Sequence, residues 1–443
     1  MSLTRRQLLA GAAAGTAGAA GIYELVDRFA GDSPSRPAVV AGRPEQHVLD
    51  GLRVRRDDGI EVVVPPLHHS VVTARVRVDD LPRAQRRLED ALRELERRYP
   101  SSPAGVGITV AWGLPYFRER VPRPAARLLP SDLRARKPAL LDAMRFPSDP
   151  AETVLEANDA AVLLRSDDLG RIEAAERILF DELDVWERTS VRRGFAGGGL
   201  PKKLATAAGI RGADLIPDDA ELFLGFTSTL KANLGPERIA NLETLGLALV
   251  PDGYFRGGTH MALAHIEEDL EAWYINFPFG ERVSTTFRPG VKASEGTLTI
   301  KPDVSSAASV KKEYGRSGSI GHSSALQTAS RLQADHLGED GTLYRKGTAI
   351  PLRADFNTLD NPFFDRGGPP AAGVHFVIFN PTSDDFHRTR LAMDGVLPDG
   401  SRLPFLPRSR GQGFNQILRT THRQNFLVPP REHRSFPLAE LTS

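Results

Sequence analysis

Apolar and polar positions along the chain fall into two periods, and the same succession of periods occurs twice. Residues 69–78 alternate β-branched and polar side chains with the period of two that marks a strand. Leu81, Leu88, Leu92 and Leu95 then form one apolar stripe among Arg and Glu, which predicts a helix from Leu81 to Arg98, stopped by the prolines at 100 and 103. Val106 to Trp112 reads as a second strand and Asp159 to Arg165 as a buried one, after which Asp167 and Asp168 cap a helix over Gly170 to Leu183. Further along, Thr259 to Ile266 is a strand, Asp269 to Trp273 begins a helix, and Gly373 to Asn380 is a strand. Ser383, Asp384 and Asp385 then cap a helix running to Met393. Strand, Asx cap and helix thus occur at 159–183 and again at 373–393. The pattern predicts an α+β protein with a degenerate internal duplication, two ferredoxin-like halves whose sheets face each other.

On this reading residues 59–200 and 201–406 are the two halves, preceded by a Pro/Gly/Ser-rich linker at 31–58. Residues 407–443 read as an extended tail dense in Arg and His, solvated and docked on the surface. The Pro-rich crossing at 121–150 is expected to wrap the surface, and 282–318 and 355–370 are insertions of a length that is usually functional or mobile.

Composition changes the picture by exclusion. The 443 residues are 40% hydrophobic and 26% charged, ordinary for a globular protein, and 57 Lys+Arg against 56 Asp+Glu give a net charge of +1. That balance argues against nucleic acid as the partner. The absence of cysteine excludes disulfides, thiolate metal sites, a Cys nucleophile and covalent c-type haem. No Gly-rich phosphate loop, Gly-x-Ser-x-Gly elbow or His-Glu-x-x-His helix is present.

The N-terminus is the other informative region. Arg5-Arg6-Gln7-Leu8-Leu9 precedes an uncharged Ala/Gly-rich stretch from Ala10 to Ile22, shorter than the roughly 20 apolar residues of a spanning helix. Residues 1–30 read as a twin-arginine export signal, with Ala17-Gly18-Ala19 as one cleavage box. The protein is therefore expected to leave the cytoplasm folded, by the twin-arginine translocase, for a periplasmic, cell-surface or extracellular location.

Four segments follow one another in the second half: Gly225-Phe226-Thr227-Ser228-Thr229, then Gly258 to Trp273, then Gly321-His322, then Tyr344-Arg345-Lys346-Gly347. Together they resemble the C-terminal half of a dye-decolourising (DyP-type) haem peroxidase, a family with a dimeric α+β-barrel fold shared by chlorite dismutases. The resemblance implies haem b as cofactor, with His322 as axial ligand to the iron. It implies Arg345, 345 − 322 = 23 positions on, as the distal cation beside bound peroxide. Where the family has an acidic residue in a Gly-Phe-x-Asp-Gly segment, this chain has Ser228, and a serine hydroxyl makes a poor proton shuttle. The function implied is an exported DyP-like haem protein, a slow hydrogen-peroxide-dependent peroxidase with an unidentified reducing substrate. The alternative is an exported scaffold or ligand-binding protein that kept the barrel and lost the haem. A homo-oligomer remains open.

The remaining histidines carry less. His260 and His265, five apart on one strand, point to opposite faces and cannot share a metal. His68 and His69 read as a solvated pair, and His375 and His387 as core or capping residues. Replacing Arg5 and Arg6 together by lysine is expected to leave the folded protein in the cytoplasm, which cell fractionation would show; unchanged export would refute the signal.

Overall fold

The structure is a computed structural model. It describes residues 21–31, 36–37, 45–49, 51, 53–57, 60–226, 247–294, 304–338, 341–361, 369–404 and 408–442. Eight strands carry the architecture: β1 (His68–Val76), β2 (Gly107–Gly113), β3 (Ala160–Ser166), β4 (Trp186–Phe195), β5 (Thr259–Glu268), β6 (Phe356–Thr358), β7 (Gly373–Asn380) and β8 (Leu418–Val428). The first four pair in the order β4-β1-β3-β2 and the last four in the order β8-β5-β7-β6. Both halves thus show the 4-1-3-2 order of a ferredoxin-like sheet, and the predicted duplication is present in the topology. Antiparallel pairs β8–β2 and β4–β6 join the halves, so the eight strands close into a barrel. Closure leaves none of these strands as a bare edge.

Helices cover the outside. In the first half, α1 (Leu81–Arg98) starts at the Asp80 cap, whose carboxylate accepts the Arg83 amide at 3.0 Å, and buries Leu81, Ala84, Leu88, Leu92 and Leu95. Its partner α2 (Leu169–Glu176) continues as a π-helical stretch to Glu182. In the second half, α3 (Leu270–Asn276) follows β5, and α4 (His322–Ser330) packs on α5 (Ser383–Met393), which connects β7 to β8. The barrel interior is packed by Val71, Leu163, Met261, Leu263, Val377, Phe379, Phe426 and their neighbours. Among the described residues no helix is long and apolar enough to cross a membrane.

Several segments differ from the sequence reading. Residues 46–49 of the expected linker are buried, Val48 in the barrel interior, and Phe356–Thr358 of the expected 355–370 insertion is the barrel strand β6. Within the expected tail, β8 is an eleven-residue central strand paired with both β5 and β2. Apart from Arg419 and His422, its polar side chains are buried; Gln424 bonds Asn158, and Arg423 is buried. Beyond it, Arg434 is buried against Glu89 and Glu96 of α1, while Phe436 and Leu438 enter the first-half core. The Pro-rich crossing also enters the core, burying Leu140 and Phe146, because irregular backbone can still deliver apolar side chains. Finally, the residues assigned to the end of the signal pack into the protein. Tyr23 and Val26 are buried, the Tyr23 hydroxyl lies 2.8 Å from Asp360 Oδ1, and Asp27 lies 2.8 Å from His68 Nε2.

Burying Tyr23 and Val26 stabilises the fold by roughly 1.5–3 kcal/mol per side chain. A chain starting at Ala30 should therefore unfold at a lower denaturant concentration than one starting at Gly21, by about 3–6 kcal/mol on extrapolation to water. Equal stabilities would show that the segment is not part of the folded body.

Candidate functional site: a histidine and arginine cavity on the outer face of the second sheet

A cavity of about 170 Å³ lies between the sheet of the second half and helices α4 and α5. On the scale at which one water needs about 10–15 Å³, it has room for ten or more. The period of two along β5 turns Ala264, Ile266 and Glu268 into it, and along β7 Val374, Phe376 and Ile378. Leu222, Leu224, Phe226, Phe386, Met393 and Phe414 extend an apolar wall.

His322 opens α4. A Cβ on the preceding Gly321 would lie 2.3 Å from the Phe287 carbonyl oxygen, so glycine is what lets the chain pass close enough to place the histidine. The Ser324 amide donates to that same carbonyl at 2.9 Å. The imidazole packs on Phe414 with ring centroids 4.4 Å apart and lines the cavity, and its Nδ1 is closed to solvent with no hydrogen-bond partner. Burial, helped by the nearby Arg353 and Arg390 guanidiniums, pushes the imidazole down to about 3. It is therefore neutral near physiological pH, the form that binds metals.

The other two expected site residues are not beside it. Ser228 lies outside the described residues, although Phe226 from the same segment lines the cavity. Arg345 sits on the surface, its side chain 73% exposed, with Nη1 donating to Asp335 Oδ2 at 3.0 Å. A short hairpin, Leu343–Tyr344 on His336–Leu337, holds it there, and the Lys346 amide donates to Asp335 at 2.7 Å. The structure does not bring Arg345 to His322, against the expectation from their spacing.

Cationic groups reach the cavity from elsewhere. Arg331, Arg353, Arg390 and Arg423 all line it; only Arg423, in the Arg/His-dense tail, stood out in the sequence. Arg353 donates to both oxygens of Asp355, Arg390 to Asp394 at 3.1 Å, and Arg423 to Asp149 through two nitrogens. Burial would raise the Asp149 carboxyl, but Arg423 and Arg390 override it and hold it below the usual carboxylate range. Burial lowers Arg331 to about 10, with Arg353 acting in the same direction. Glu268 is the remaining acid of the wall. Its Oε2 is closed to solvent without a partner, and burial, then the Asp355 charge, pushes it up to about 8. Strand parity with Ala264 and Ile266 was the signal that could have found it.

Of the other histidines, His68 and His69 are buried and not solvated as expected, because His68 meets Asp27 and His69 the Pro66 carbonyl, both within hydrogen-bond distance. His260 bonds the Pro381 carbonyl at 2.7 Å on the outer face of β5, while His265 points inward. There His265 stands across from His375 on β7 and His422 on β8, and His375 Nε2 lies 3.1 Å from Asp360. Among the described residues no group of three or more His, Asp or Glu could hold a metal ion.

A sequence model of a family of unknown function, DUF7405, matches residues 66–430. The chain belongs to DUF7405. No curated protein matches this DUF7405 chain. Among solved structures it is similar to a DyP-type peroxidase from Streptomyces coelicolor, with TM-score 0.54 and 17% identity over 90% of this chain and 96% of that one. It is also similar to a DyP-type peroxidase from Cellulomonas bogoriensis (TM-score 0.52, 19% identity, 84% and 92% covered). A putative DyP-type peroxidase from Shewanella oneidensis follows at TM-score 0.52 and 15% identity, with 84% and 94% covered. At these identities the likeness establishes that the DUF7405 chain has the DyP-type α+β-barrel fold.

Asp149 joins the cavity wall to β8, so its loss has a structural readout. Asp149→Asn leaves Arg423 as a buried cation without its anion and should cost about 3–5 kcal/mol. Because the folded carboxyl titrates below its unfolded value, its contribution is present above the unfolded pKa and lost as pH falls through the folded one. Denaturant titrations of both proteins at neutral and acid pH would check this, and a stability gap that did not narrow in acid would contradict it.

Proposed function

We propose that the cavity binds haem b with His322 as axial ligand, and that the protein, exported by the twin-arginine route, is a slow hydrogen-peroxide-dependent peroxidase. The observation that carries this reading is the neutral imidazole on an apolar cavity wall, with the buried Nδ1 left without a partner. The site residues fit such a group. An imidazole ligand, two apolar faces and guanidiniums suit a planar apolar macrocycle bearing two carboxylates. The fold, common to the chain and DyP-type peroxidases, supports the same reading.

When bound, haem supplies the electrons that cleave a peroxide O–O bond and the oxidising capacity passed on to a reducing substrate. The chain's own contribution is positional. His322 presents a ring nitrogen without needing to lose a proton, and the walls keep bulk water from the reacting centre. In place of the surface Arg345 we assign the cationic role to Arg353 and Arg390, whose charges already reach His322. Fixed in ion pairs with Asp355 and Asp394, they are pre-oriented donors.

A second reading, a barrel that binds an apolar ligand without catalysis, is favoured by the ion pairs of Arg353, Arg390 and Arg423, which blunt those guanidiniums, and by the surface position of Arg345. The optical spectrum separates the two. Protein purified from a haem-replete host should show a Soret band that His322→Ala abolishes, with circular dichroism unchanged. No band in the wild type would favour the second reading, and a band retained in the variant would place the iron on another residue.

A further inference from the structure

The cavity contains one acid that the reading above leaves unused. Glu268 is the last residue of β5, and strand alternation turns it to the cavity wall with Ala264 and Ile266. The other acids there are committed. Asp355 takes two bonds from Arg353, at 2.8 and 2.6 Å, and Asp149 is held by Arg423 and Arg390. Glu268 Oε2, closed to solvent, has no partner. The charged and titratable groups around it come from several elements. Asp355, before β6, opposes its ionisation, and Arg353 offsets Asp355. Tyr274 of α3 couples to it and is itself raised by burial, with the Arg282 guanidinium 4.8 Å from the Tyr274 ring centroid. Arg331 and His322 line the same cavity from α4 and the residue after it. Glu268 is half-buried, with Oε2 closed to solvent, and a carboxylate there without a bonded cation costs more than the neutral acid, whose hydroxyl is a ready donor to a ligand.

We propose that Glu268 is the proton carrier of this cavity, passing its Oε2–H proton to a peroxide bound there. The proposal rests on the haem reading. Glu268 gives its proton to the peroxide oxygen that departs as water and recovers a proton from the oxygen that stays. The O–O bond breaks, the carboxyl ends as it began, and the two electrons of the cleavage come from the cofactor. This is the work for which Ser228 is unsuited. It shifts the general acid from position 228 to the end of β5.

Glu268→Gln keeps the shape of the side chain and removes the transferable proton. Without cofactor, infrared difference spectra taken between about pH 6 and about pH 9, spanning the ionisation near 8, should show the loss of a carboxylic-acid carbonyl band in the wild type and none in the variant. With haem bound, both proteins should show the same Soret band. The variant should react with hydrogen peroxide on the order of 10²- to 10⁴-fold more slowly in stopped flow. The wild-type rate should fall as pH rises through about 8, while the variant's stays flat, and Glu268→Asp should recover part of the rate. Absence of the infrared band, or equal peroxide rates and pH profiles, would overturn the proposal. If neither protein takes up haem while the infrared band is present, it is the cofactor reading that fails; if haem binds and the band is absent, it is this proposal that fails.

Discussion

Strand β5 is hydrogen-bonded along nearly its whole length on both sides, by β7 and by β8, and the site depends on that double pairing. A strand held on two sides cannot slip by one residue without turning every side chain to the opposite face. Met261, Leu263 and His265 are thereby fixed in the barrel interior, and Ala264, Ile266 and Glu268 on the cavity wall. Closure of the barrel through β8–β2 and β4–β6 adds to the constraint, since β8 cannot move without opening the ring. One strand thus separates a packed apolar interior from a roomy cavity on the outer face. The small Ala264 leaves space that a larger residue in the same register would fill.

The cavity's electrostatics follow from burial more than from charge count. Its imidazole is neutral and one of its carboxyls is raised, because neither is paired with an opposite charge inside the wall. Where a pair exists, as for Asp149 with Arg423, the ionised form wins and the pair becomes a structural tie between the 121–150 crossing and β8. The wall therefore contains two kinds of polar group. Paired ones hold the shape. The imidazole of His322 and the carboxyl of Glu268, left unpaired, are available for chemistry.

Much of the fold was legible in the sequence because apolar periodicity and packing agree there. Helix α1 spans the predicted residues, and β1, β2, β3, β5, β7 and α5 lie within a residue or two of expectation. β8 was not legible, because Thr420, Thr421, Arg423, Gln424 and Asn425 look like a polar surface run while each is buried against a polar partner or a charge. β4 was missed for a similar reason; charged residues at 187, 188, 192 and 193 hide a strand whose ends, Trp186 and Phe195, are buried. Of the residues that line the cavity, His322 was named from its place in the order of motifs. Arg345 was carried by spacing alone, and a hairpin anchored by Asp335 places it on the surface. The cavity arginines come from four separate stretches of chain, so no local pattern could assemble them.

The central claim is that His322 is the residue to which a porphyrin metal binds. Its most direct test is a titration of the full chain with zinc protoporphyrin, a diamagnetic stand-in for haem, followed by nitrogen NMR of the histidine rings. The account predicts that the His322 ring nitrogens shift and saturate at one equivalent, while His260, His265 and His375 stay where they are. A shift that falls on another histidine, or none at all, would contradict it.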